Sequence, residues 1–229
     1  MIKNYFYFLI CFLFFQSSSA QKEKDSLVLR LIPTFGANPL NLNQNYLSEK
    51  KDSLQITQFK FYISDLQITF SDNSVFTKNE RYNLIDIENP KSLRLPLCKK
   101  NGKVVTRIVF NIGIDSTTSV SGALTGDLDP SNGMYWAWQS GYINMKMEGK
   151  SASCKTRKNE FQFHIGGYMQ PFYAIRKVDL YPISQNLEVT VDVAEIFSKL
   201  YLSDMSSIMI PSKKAMQLAD YSVNMFKTE

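Results

Sequence analysis

Histidine is almost missing from this chain of 229 residues: His164 is the only one. That scarcity excludes any site built from several imidazoles, and any serine or cysteine nucleophile with a histidine base would have to use His164. Long apolar runs are absent after residue 20, so no later segment is expected to span a bilayer as a helix. Glycine-rich phosphate loops, dinucleotide fingerprints, GxSxG elbows and HExxH pairs are all lacking, which removes the common nucleotide, hydrolase and zinc-peptidase signatures. The excess of base is mild, 26 Lys and Arg against 21 Asp and Glu. Its lysines are scattered rather than set among aromatics on one face, which excludes a nucleic-acid partner.

What the first 20 residues do hold is an address. Lys3 is their only charge, residues 5–15 form a short apolar run, and Ser18, Ser19 and Ala20 offer small residues for cleavage. This reads as a secretory signal leading to the periplasm or the outside of the cell. Cys11 would be the lipidated residue of a lipoprotein, but Leu9 and Ile10 before it are not small, so cleavage is the expectation. Two cysteines then remain, Cys98 and Cys154, and an even pair in an oxidising compartment points to a disulfide.

The rest of the chain, residues 21–229, alternates with period two. Leu27, Leu29 and Leu31 share a face, as do Phe59, Phe61 and Ile63, followed by Leu66, Ile68 and Phe70. Similar runs over 82–87, 104–114, 142–148, 160–168, 174–181 and 187–193 are separated by turn-formers. The pattern predicts one all-β domain, an antiparallel β-sandwich. Short helices are expected near the C-terminus, over 193–202 with Asp192 as cap and over 212–226.

Two dense segments carry the candidate chemistry. In residues 160–167 (EFQFHIGG), strand alternation turns Phe161, Phe163 and Ile165 one way, and Gln162 and His164 the other, toward a site or a wet surface. In residues 133–142 (GMYWAWQSGY), the same rule places Met134, Trp136 and Trp138 on one face, with one indole lining a pocket. His164 reads either as a neutral imidazole hydrogen-bonded in the sheet or as a metal ligand. Methionines after the initiator all lie at or beyond 134, and thioether with imidazole suits Cu(I). Met145 and Met147 fit equally well as core filler. Asp127, Asp129 and Ser131 resemble the opening of a calcium loop, but the glycine is displaced to Gly133 and Trp138 stands where such a loop needs Glu, so the EF-hand fails and a loop of turn residues with a weak Ca²⁺ contact is what survives.

Taken together and in order, residues 59–66 (FKFYISDL), 126–130 (GDLDP), 133–142 closing at Glu148 and Gly149, and 163–166 (FHIG) resemble the MbnP-like domain. This is a family of secreted copper-binding proteins associated with methanobactin operons, and the resemblance runs from about Leu27 to Val193. It implies a non-enzymatic copper protein with His164 as the ligand. Trp136 or Trp138 is the candidate for oxidation to kynurenine by a di-haem, MauG-like peroxidase partner. Relatives with a defined site use two histidines; here Met134, Met169, a backbone group or the modified indole would complete the shell. A second reading keeps the fold and drops the metal, leaving an extracellular module whose aromatics take a carbohydrate, peptide or protein. A secreted hydrolase using paired carboxylates is the third.

Overall fold

Alternating apolar residues become strands wherever turn-formers let the chain reverse, and they assemble here into two packed sheets. The computed structural model describes residues 26–99, 102–139, 141–183 and 187–228; the expected signal segment lies outside them. In chain order the first half holds β1 (Ser26–Phe35), β2 (Asn38–Pro39), β3 (Asn45–Leu47), β4 (Ser53–Phe70), β5 (Val75–Thr77), β6 (Tyr82–Asp86), β7 (Arg94–Lys99) and β8 (Val105–Ile112). The second half holds β9 (Tyr135–Trp136), β10 (Gly141–Ser151), β11 (Glu160–Gly166), β12 (Tyr168–Met169), β13 (Phe172–Tyr173), β14 (Arg176–Leu180), β15 (Glu188–Asp192), β16 (Ser207–Ile208) and β17 (Phe226–Lys227). Helices α1 (Ser116–Val120), α2 (Ala194–Lys199) and α3 (Lys213–Val223) complete the set.

The larger sheet runs β14-β8-β4-β10-β11-β16, and the smaller runs β17-β15-β1-β2 with β7 also on β1. Pairing is antiparallel apart from β1 with β15 and β11 with β16. The core lies between the sheets: Leu29 and Leu31 of β1 and Val189 and Val191 of β15 face Phe59, Phe61, Phe110, Met147 and Phe163 across it. The all-β sandwich expected from alternation is the observed architecture. Both C-terminal helices form: the Ser212 hydroxyl accepts from the Ala215 amide to cap α3, and the Asp192 carboxylate accepts from the Ala194 amide at the start of α2.

Two irregularities decide what lies on the outer face of the larger sheet. The apolar phase of β4 changes between Ile63 and Leu66, and Asp65 there takes a left-handed φ of 52° at a break in the pairing with β8. A second break lies between Ile143 and Met145 on β10. Strict alternation would put Ile143 on the face of Met145 and Met147; the irregularity turns it outward instead. There Tyr62, Ile114, Leu128, Met134, Trp136, Tyr142 and Ile143 form a second apolar cluster. The segment between β8 and β10 covers this outer face.

The disulfide does not form: Cys98 and Cys154 are both free thiols. Cys154 lies beside Asp52, just before β4 begins, whereas Cys98 lies near Lys103, which pairs with Asp72 just beyond its end. An eighteen-residue strand separates these points by on the order of 50 Å, against roughly 7 Å at most between the α-carbons of a bridge.

Candidate functional site

The site begins with the face of β11 that carries His164. Phe161, Phe163 and Ile165 point into the main core, as alternation requires, so His164 and Gly166 share the outer face. That face is not wet: His164 is only 7% exposed. Its Nε2 lies 2.6 Å from Oε1 of Glu148, two pairs further along β10. Burial lowers the imidazole pKa more than the Glu148 hydrogen bond raises it, and the nearby Lys146 charge lowers it further. The ring is therefore held neutral at physiological pH, with Nε2–H donating to the carboxylate and the lone pair left on Nδ1. No hydrogen bond to Nδ1 is made among the described residues.

A row of charge crosses the sheet at this level. Asp86 on β6 pairs in register with Lys60 on β4, Lys60 with Lys146 on β10, and Lys146 with His164. Two ammonium groups directly opposite each other repel, and each has its own carboxylate: Lys60 lies 2.9 Å from Asp86 and Lys146 lies 3.5 Å from Glu148. Lys146 Nζ also donates to the carbonyl of Gly133 at 3.4 Å.

The indoles arrive from the covering segment. Tyr142 anchors that segment by donating to the Leu128 carbonyl and accepting from the Leu124 amide. Tyr62 donates to the Asp127 carbonyl at 2.9 Å. Trp136 then packs on Gly166, its six-membered ring 2.7 Å from where a β-carbon would stand. The lone imidazole and one indole are thus neighbours on one strand face, as the sequence motifs suggested. The expectation that both indoles share a face is corrected: β9 ends at Trp136 and the chain turns, so Trp136 is 5% exposed and Trp138 is 64% exposed. Their ring centroids remain 6.0 Å apart.

The methionines lie in three settings. Met134 is fully buried in the second apolar cluster, Met145 and Met147 fill the main core, and Met169 is exposed on β12. Asp127 and Asp129 are engaged with backbone: Asp127 accepts from the Leu84 amide at 2.8 Å, and Asp129 from the Ser131 amide at 2.8 Å. Among the described residues no three His, Cys, Asp or Glu side chains gather as a metal-binding group. For copper, the residues fit an open contact at the Nδ1 lone pair of the imidazole, with Glu148 orienting the ring through Nε2. Glu148 and Lys146 were not singled out by sequence reasoning; their alternation with Met145 and Met147 was the available signal.

The MbnP family model matches residues 24–210. The chain belongs to the MbnP family. Its solved structures include MbnP from Methylosinus trichosporium, which superimposes with a TM-score of 0.60 at 12% identity over 78% of this chain and 79% of that one. No curated protein sequence matches. That likeness shows a shared fold over most of the chain.

A second concavity opens on the Trp138 side. It encloses about 310 Å³ and is lined by Trp138, Tyr168, Met169, Phe172, Ile210 and Pro211, together with Gln139 and Gln170. The β12–β13 hairpin forms one wall. No helix among the described residues is long and apolar enough to cross a membrane.

Proposed function

We propose that this chain is an exported, non-enzymatic copper-handling member of the methanobactin-associated MbnP family, with His164 as the imidazole contact and Trp136 as the indole beside it. The observation that carries this reading is the His164–Glu148 pair at 2.6 Å next to the Trp136–Gly166 contact. A carboxylate on one ring nitrogen fixes the tautomer and frees the other nitrogen, which is how metal-bound imidazoles are commonly oriented. Copper needs the neutral ring, and burial supplies it. With so few donors, binding would be exchangeable, which suits transfer better than storage. Of the two indoles, Trp136 is the one a MauG-like di-haem partner would have to modify for the change to reach His164.

Titration of the metal-free protein with copper, followed by metal analysis after gel filtration, tests the reading. His164→Ala should lose the copper that the native chain retains, with an unchanged circular dichroism spectrum. Equal copper in both proteins overturns the assignment.

The open groove favours a second reading, a binding module for a carbohydrate or peptide. An exposed indole beside further aromatic rings, with the uncharged amides of Gln139 and Gln170 in the lining, suits a neutral ligand. Trp138→Ala should then abolish binding to a glycan or peptide array while leaving copper uptake intact.

A further inference from the structure

The charge balance around His164 is complete without a metal. Asp86, Lys60, Lys146 and Glu148 bring two carboxylates and two ammonium groups into adjoining positions, and the imidazole at the end of the row is neutral. The same Glu148 oxygen, Oε1, that meets the imidazole at 2.6 Å meets the Lys146 ammonium at 3.5 Å. The ammonium completes its contacts at the Gly133 carbonyl, 3.4 Å away. Gly133 presents that carbonyl from a left-handed turn, φ 72°, which closes the short helical turn before β9. A carboxylate oxygen, a main-chain carbonyl and an imidazole are donors to a cation, and the cation among them belongs to the chain itself.

We propose that Lys146 is a built-in cation that competes with metal for Glu148, keeping copper at His164 loosely held and exchangeable. This rests on the copper reading above and names what regulates that site. A metal ion drawing on both His164 and Glu148 has to take the place of the Nε2 proton as well as displace the ammonium from Oε1; one held at the free Nδ1 binds through the imidazole alone. Repulsion between the ammonium and an incoming cation acts over a few ångströms in a half-buried setting, where it is screened less than in water. Removing the ammonium leaves the corner with one net negative charge and one free carboxylate. Lys60 does not replace it, because it is held by Asp86.

The experiment measures Cu(II) affinity by competition with a chromophoric chelator at neutral pH, on the native chain and on Lys146→Met, Lys146→Arg and the double variant Lys146→Met/His164→Ala. Lys146→Met should tighten binding tenfold or more, and its electron paramagnetic resonance spectrum should differ from the native one as an oxygen donor joins the nitrogen. Lys146→Arg, which keeps the charge, should bind like the native chain, and the double variant should lose the gain. Thermal melts monitor folding; should Lys146→Met fail to fold, Lys146→Gln is the neutral variant that can still bridge to Gly133. His164-dependent binding that is equal in the native and neutral variants overturns the role of Lys146 and leaves the copper reading standing. Absence of His164-dependent copper in every variant overturns the copper reading itself.

Discussion

Trp136 rests on the bare backbone of Gly166. A β-carbon at Gly166 would lie 2.7 Å from the indole and 2.7 Å from the Tyr142 carbonyl oxygen, so the indole occupies the space a side chain would take. Because Gly166 and His164 share a face of β11, this one contact brings two motifs separated in sequence into a single corner. Gly166→Ala should therefore cost about 1–3 kcal/mol through overpacking. A denaturant melt measures the cost, and a red-shifted tryptophan emission should report that the indole has been pushed toward solvent. An unchanged midpoint and spectrum would contradict the packing.

The two indoles should separate cleanly in stability. Trp136→Ala empties part of the second apolar cluster and is expected to cost about 3–5 kcal/mol. Trp138→Ala removes an exposed ring and should stay within about 0.5 kcal/mol of the native chain. Chemical denaturation of the two variants side by side is the check, and equal losses would refute the assignment of one buried and one exposed indole.

His164 should make the fold sensitive to mild acid. Its folded pKa lies below the ordinary value of 6.5, so the unfolded chain binds the proton more readily. The associated stability is fully present above 6.5 and is lost as pH falls through that value toward the lower folded pKa. His164→Gln should flatten this part of the curve of melting temperature against pH. A variant whose curve keeps the native slope between neutral pH and the folded pKa would show that the ring does not titrate as described.

Both cysteines should count as thiols. Burial pushes the Cys154 thiol up to about 11 and raises that of Cys98 as well, so neither is an activated thiolate near neutral pH. Alkylation of the folded protein should be slow, and unfolding without reductant should expose two reactive thiols in the mature chain. Detection of a Cys98–Cys154 cross-linked peptide would overturn the free-thiol assignment.

Strand positions, the inward faces of Phe59, Phe61, Phe161 and Phe163, and the two C-terminal helices were legible in the sequence because periodicity reports which side of a strand faces apolar neighbours. The same rule placed His164 opposite the phenylalanines. It could not say what lies on that opposite side, because a second layer is built from a segment some thirty residues away in sequence. Alternation also failed where one residue slipped out of register: the break after Ile143 moved that side chain to the outer cluster, and the turn after Trp136 parted the indoles.

Local chemistry along the chain, then, determined a β-sandwich with one imidazole on the face away from its main core. Only the folded structure decided that Glu148 orients the imidazole, that Lys146 lies against the same carboxylate, that Met134 is fully buried in the outer cluster, and that the two cysteines are free thiols. Those relationships depend on strand register and on which segment covers which face, and both are set by cooperative packing rather than by any residue's own preference.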